Sequence, residues 1–297
     1  MTRPGPTLPP GYEGPLGRLL FQGTNDHYED AVLYDFEYAD QRDDVGWYRD
    51  RADELAARGS ILELGAGTGR ITIPLLRDGH RVVGLDRKRS MLDRLEEKLT
   101  PAARRRLQLL EGDLCALPVD DGSQRVVFAP FNVLMHLYTW QRLRTCFEEV
   151  ARALQPGGWF CFDVLLPDLE WLTLDPREHH CRTRFKHPGT GEPMVYSTNH
   201  DYDHATQIAH IRIHYHRAVG RGARIQPGVP PLQTIHLTHR QIWPEELRCL
   251  LALAGLELES IGGDFKGHRL TGDAESQVVV ARKPGGRLRR KSATTRR

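Results

Sequence analysis

The chain has 297 residues, 39% of them apolar, enough for one large domain with an insertion or for a domain with a small subdomain. No apolar run approaches the roughly 18 residues that a membrane span requires, and the opening MTRPGPTLPPGYEGP lacks the apolar stretch of a secretory signal. The net charge is +2, and the five cysteines, odd in number and never spaced CxxC, argue against a disulfide framework or a zinc site and for a reducing, cytoplasmic compartment.

Residues 1–24, rich in Pro and Gly, read as a flexible lead-in. Residues 25–58 read as helical, with Trp47, Tyr48, Ala52, Leu55 and Ala56 on one face. From Ile61 to about Asp168 short apolar runs alternate with amphipathic stretches. ILEL, RVVGLD, LQLLEG, RVVFAP and GWFCFDVL read as strands, and GRITIPLLRDG, SMLDRLEEKL and WQRLRTCFEEVARALQ as helices. In the last of these, Leu143, Phe147, Val150 and Leu154 give one buried face, and Pro156, Gly157 and Gly158 supply the stop. Strands apolar on both faces, alternating with helices, call for a parallel sheet covered on both sides.

Beyond residue 175 the period changes. In IAHIRIHYHRAV, Ala209, Ile211, Ile213 and Tyr215 point one way and His210, Arg212, His214 and His216 the other, which reads as a half-buried antiparallel sheet within 180–240. PEELRCLLALAGL then gives a helix with Pro244 in its first turn, and ELESIGG and SQVVVARK give two closing strands. The expected fold is α/β: a doubly wound, mostly parallel seven-stranded sheet with an inserted antiparallel β-sheet roof. The ligand-binding core with its N-terminal helices spans 25–175, the insertion 176–240, the closing helix and strands 241–283, and a disordered basic tail 284–297. That tail holds Arg287, Arg289, Arg290, Lys291, Arg296 and Arg297 and no acid, so without it 35 basic groups face 39 acidic ones. It reads either as a solvated end or as an arm for nucleic acid or anionic lipid.

The most informative stretch is Glu63-Leu64-Gly65-Ala66-Gly67-Thr68-Gly69-Arg70, which follows a strand and opens a helix. Glycines there let the backbone turn tightly and approach a ligand, and the helix start offers free N–H groups. A dinucleotide fingerprint wants Gly or Ala where Arg70 stands. Asp86 ends the second strand, where a carboxylate can accept both hydroxyls of a ribose, and Asp113 follows the third, within reach of an exocyclic amine. Both fall at the carboxyl edge of the sheet beside the glycine turn, where open α/β sheets bind ligands.

These motifs, with LQPGGWF at 154–160, resemble those of class I S-adenosylmethionine (SAM)-dependent methyltransferases over about residues 28–168 and 244–283. The resemblance implies that Glu63, Gly65, Ala66, Gly67 and Gly69 form the turn around the methionyl end of SAM. It gives Asp86 the ribose, with Arg87 and Met91 flanking it, and gives Asp113 and the Leu114 backbone the adenine. Within the family the chain is most similar in pattern to glycine N-methyltransferases and amino-sugar N-methyltransferases. The residues behind that likeness are Tyr34-Asp35, the WYRDRADEL helix, PFNVLMHL and Gly263–Phe265. By position it points to Tyr34 as the residue that closes over SAM, to Phe131 beside the cofactor, and to Asn132 and His136 at the acceptor. No Asn-Pro-Pro signature of nucleic-acid or amide methyltransferases is present.

His136 is the candidate general base, since an imidazole titrates near neutral pH; the alternative is support for the helix that follows. Tyr34 is read as catalytic or as a core tyrosine, and Arg70 as a contact to an anionic acceptor group or a helix-end cover. In the roof, Tyr196, Tyr202, Tyr215 and Trp243 are candidate lining residues, with Tyr202 and Tyr215 assigned to the substrate. His179-His180-Cys181 with His210, His214 and His216 invites a metal, but no carboxylate shares their spacing and the site is read as metal-free. The expected reaction moves a methyl group from SAM, leaving S-adenosylhomocysteine, to an amine or hydroxyl of a small-molecule acceptor. The rivals are an RNA or protein methyltransferase docking through the tail, and a SAM-binding protein without catalysis. Homo-oligomer formation is left open.

Overall fold

The computed structural model describes residues 14–57, 59–220, 222–226 and 228–285. Strands β1 (Ile61–Leu64), β2 (Val82–Asp86), β3 (Leu107–Glu111), β4 (Gln124–Ala129) and β5 (Leu154–Leu165) pair in parallel. Strands β6 (His180–Lys186), β7 (Pro193–Asp203), β8 (Ile208–Arg217) and β9 (Gln233–Arg240) form a separate antiparallel sheet in that order. The chain then returns to the first sheet with β10 (Glu257–Gly262) and β11 (Ser276–Arg282), and β11 runs antiparallel to both β5 and β10. The seven strands lie in the order β10-β11-β5-β4-β1-β2-β3. The winding direction reverses between β1 and β4, which opens a crevice at their carboxyl ends.

The helices are α1 (Gly14–Gly23), α2 (Ala31–Glu37), α3 (Asp43–Leu55), α4 (Thr72–Arg77), α5 (Arg89–Glu97), α6 (Pro101–Arg104), α7 (Trp140–Ala153), α8 (Leu169–Leu172) and α9 (Pro244–Leu253). One face of the large sheet packs Leu62, Leu64, Val127, Phe160 and Phe162 against α7 and α9; the other packs Ile61, Val82, Val126 and Phe128 against α3 and α4. Tyr48, Ala52, Leu55 and Ala56 of the expected face are buried. Helix α7 starts where Thr139 Oγ1 accepts from Arg142 N–H at 3.3 Å. Its end differs from expectation. Helix geometry stops at Ala153, and Pro156, Gly157 and Gly158 lie inside β5, where the register jumps from Leu154 opposite Gln124 to Trp159 opposite Val126. Gly157, at φ +76°, gives the backbone that outward loop.

One further expectation is corrected. Residues 14–23 of the supposed lead-in are helix α1, and it packs on β9 so closely that a Cβ on Gly23 would stand 1.8 Å from Thr238 Oγ1. Residues 1–13 and the arginine-rich stretch 286–297 lie outside the described residues. The roof sheet is half-buried, with two histidines of its polar face buried as well. One face packs Met194, Ile213, Tyr215, Ile235 and Leu237 against Leu33 of α2, as alternation requires. On the opposite face Arg184 and Asp201 are exposed and His210 and Arg212 partly so. His214 and His216 are buried beside His179, whose ring stacks on His214 at 4.7 Å and whose Nδ1 lies 2.9 Å from Ser197 Oγ. His214 Nδ1 lies 3.0 Å from Thr234 Oγ1, and Nε2 lies 3.1 Å from Asn199 Oδ1. Hydroxyl and amide partners let these two histidines be buried.

Candidate active site

The crevice at the β1–β4 switch is lined by backbone and side chains from four strand ends. After β1 come Gly65 and Gly67, at φ +70° and +52°. A Cβ on Gly67 would meet nothing nearer than Met91 Cε at 3.7 Å, so the bare backbone faces open space. Asp86, at the end of β2, accepts from Gly67 N–H through Oδ2 and from Lys88 N–H through Oδ1, each at 2.8 Å. Burial pushes its carboxyl up, and the backbone donors offset part of that. Arg87 and Met91 flank it, and Asp113 and Leu114 continue the wall past β3.

The wall after β4 is strained. Phe131 and Asn132 both take left-handed backbone, at φ +58° and +63°, and each such residue costs roughly 1–3 kcal/mol. Buried Asp163 holds the turn by accepting from Phe131 N–H at 2.9 Å and from the Tyr48 hydroxyl at 2.7 Å, and Asn132 Oδ1 accepts from Leu165 N–H at 2.7 Å. The turn aims Phe131 and His136 into the crevice.

His136 is half-buried at the crevice wall, and its Nε2 lies 2.7 Å from the Tyr28 hydroxyl. Desolvation pushes the imidazole well below its ordinary range, with His239 and His27 adding to the effect, so the ring is neutral near pH 7. Among the described residues its buried Nδ1 has no hydrogen-bond partner. Tyr28 and Tyr34 come from the segment before and within α2, and both close over the crevice. Burial pushes both phenols up, so they act as hydroxyls and not as phenolates. Tyr34 packs on Tyr38 at 4.7 Å and on His27 at 5.6 Å.

Of the residues expected from sequence, Gly65, Gly67, Asp86, Arg87, Met91, Asp113, Leu114, Phe131, His136 and Tyr34 all line this one crevice. Others have different surroundings. Glu63 is buried under the loop, where its Oε2 accepts from Thr72 Oγ1 at 2.5 Å and burial lifts its carboxyl to about 8. Ala66 packs with Leu92 and Leu95. A Cβ on Gly69 would come 2.7 Å from Leu95, so this glycine serves helix packing. Arg70 does not wait for an anionic acceptor: it binds both oxygens of Asp44 at 2.6 Å and lies over the Phe131 ring at 4.1 Å. Asn132 borders a neighbouring cavity with Asp163 and the loop after β10. Tyr215 is a core residue whose hydroxyl donates to Glu37, and Tyr202 is half-buried near the far end of β7; neither lines the crevice. Sequence reasoning missed Thr24, Tyr28 and Arg142. The aromatic density of DHYEDAVLYDFEY was the available signal for Tyr28; Arg142 carried none.

Among the described residues no group of three or more His, Cys, Asp or Glu is arranged to hold a metal ion, and no helix is long and apolar enough to cross a membrane. A methyltransferase domain family model matches residues 61–158. The cypemycin N-terminal methyltransferase of a Streptomyces species is 27% identical over 222 residues, covering 74% of this chain and 82% of that one. A putative methyltransferase, YqeM, of Bacillus subtilis (strain 168) is 32% identical over 110 residues; the match spans only 44% of its length. Among solved structures, the CcbJ methyltransferase of Streptomyces caelestis superposes with a TM-score of 0.64 at 26% identity, over 81% of this chain and 95% of that one. The bare Gly67 backbone and the acids Asp86 and Asp113 thus belong to a stretch that matches a methyltransferase domain over residues 61–158, and in this part the chain is similar to SAM-dependent methyltransferases.

Proposed function

We propose that this protein transfers the methyl group of SAM to a nitrogen of a small-molecule amine. The observation that carries the reading is the junction in one crevice of a nucleoside-sized wall, Gly65 to Asp113, with a neutral aromatic end formed by Tyr28, Tyr34, Phe131 and His136. Gly65 and Gly67 would receive the methionyl part of SAM, Asp86 the ribose diol, and Asp113 with Leu114 the adenine. SAM when bound supplies a methyl group on a positively charged sulfur. The cypemycin enzyme, by its name, methylates an N-terminus, which favours an amine over a hydroxyl acceptor.

The protein's own work is placement. Displacement at a methyl carbon releases a neutral thioether, so no developing oxyanion needs stabilising, and alignment supplies most of the acceleration. Tyr28, Tyr34 and Phe131 exclude water and confine the acceptor. His136 stays neutral, so it holds the Tyr28 hydroxyl through Nε2 and is a weak proton store. The lone pair needed for attack belongs to an acceptor that enters uncharged, because the aromatic end desolvates an ammonium.

The test is incubation of the full chain with methyl-labelled SAM and a metabolite extract, followed by mass detection. A labelled product heavier by one methyl group, absent with Asp86→Ala, is expected. Uptake of SAM in calorimetry without product from amine-rich fractions would turn the reading toward a binding protein.

A further inference from the structure

The carboxylate of Asp113 is held from two sides. Its Oδ1 accepts from Cys115 N–H and from Arg142 Nη2, and its Oδ2 accepts from the same Nη2, all at 2.8 Å. Burial alone would raise this carboxyl, but the two donors outweigh it and keep it below the ordinary range. Arg142 is itself fixed. It stands in the first turn of α7, its N–H donates to Thr139 Oγ1, and its carbonyl accepts from Cys115 Sγ at 3.3 Å. Asp113 and Arg142 both line the crevice.

A carboxylate oxygen accepts about two hydrogen bonds. Among the described residues Oδ1 has two such donors and Oδ2 one, which leaves one acceptor position for a donor in the crevice. We infer that Arg142 is a positioning residue for the nucleobase: it fixes Asp113 so that Oδ2 meets the exocyclic amine of adenine and rejects a purine with oxygen at that place. The inference rests on the crevice being the SAM site. A carboxylate ordered in advance loses no rotamer freedom when the base arrives. Facing it, an oxo-purine would set one acceptor against another and leave both unpaired. The Arg142 and Asp113 side chains are 46% and 50% exposed, so the pair contributes little to folding and its effect on binding is separable.

The experiment is calorimetry on the full chain with S-adenosylhomocysteine and its deaminated counterpart, S-inosylhomocysteine. The unaltered protein is expected to prefer the adenine compound by about tenfold or more, the worth of one hydrogen bond to a charged group. Arg142→Ala is expected to cut that preference below about threefold with an unchanged melting temperature, and Arg142→Lys to restore part of it, since a point charge lacks the planar guanidinium fork. Retention of full preference by Arg142→Ala overturns the inference, as does an equal loss of affinity for both compounds. Failure of the unaltered protein to bind either compound overturns the cofactor reading and the inference with it.

Discussion

His136 and Asp86 line one crevice, and the proposed function gives them different steps that single substitutions separate. Asp86 braces the glycine loop through Gly67 N–H, and the proposed function gives its remaining acceptor capacity to a diol. Asp86→Ala is expected to weaken S-adenosylhomocysteine binding by about tenfold to a hundredfold, the worth of a charge-assisted hydrogen bond, measured by calorimetry. His136→Ala leaves that wall intact. It is expected to lower turnover by roughly tenfold or more while changing cofactor affinity little. Because burial keeps the imidazole neutral well below pH 6.5, the pH profile of kcat/KM should show no inflection from this residue near 6.5. Such an inflection, lost in His136→Ala, would restore it as a titrating base.

Helix α2 and the turn before it carry Tyr28 and Tyr34 across the crevice, and they are held there by charge. Asp35 of α2 accepts from Arg94 at 2.9 Å and from Lys98 at 2.9 Å, Glu29 pairs with Lys88, and Glu37 accepts from Tyr215 of the roof. The partly exposed ion pairs of Asp35 and Glu29 contribute about 0–1 kcal/mol each to stability. Asp35→Ala is therefore expected to leave the unfolding free energy within about 1 kcal/mol, yet to speed dissociation of S-adenosylhomocysteine in stopped-flow measurements, as added salt should do for the unaltered protein. An unchanged off-rate would mean that the aromatic packing alone closes the segment. This closure was only partly legible in the sequence. The pattern of strands and helices brings Gly65, Asp86 and Asp113 to one edge, because strands that pair in parallel all end on the same side. Tyr28 and Arg142 arrive through the docking of whole helices, which no local spacing encodes. Alternation along β8 likewise marked His214 and His216 as the polar face but carried no sign of the residues that cover them.

Taken as one folded unit, the chain buries carboxyls and imidazoles whose proton affinities move in opposite directions, so its stability depends on pH in separable windows. His27, His214 and His239 are pushed down to about 4 by burial. The folded state then holds fewer protons than the unfolded one between about pH 4 and 6.5, and stability rises with pH across that window. Asp163, lifted by burial to about 6, acts in the opposite sense from about pH 4 to 6. Above pH 6.5 both effects are complete. Glu63, lifted by burial from 4.5 to about 8, still retains its proton in the folded state when the unfolded chain has lost it. Stability should thus fall as pH rises from 6.5 to 8, by up to about 2 kcal/mol for one proton over that interval. Glu63→Gln keeps an acceptor for Thr72 and has no proton to lose, so urea unfolding of this variant should give the same free energy at both pH values. If the variant loses as much stability as the unaltered protein, the dependence arises elsewhere, and Glu63 is ionised beneath the glycine loop.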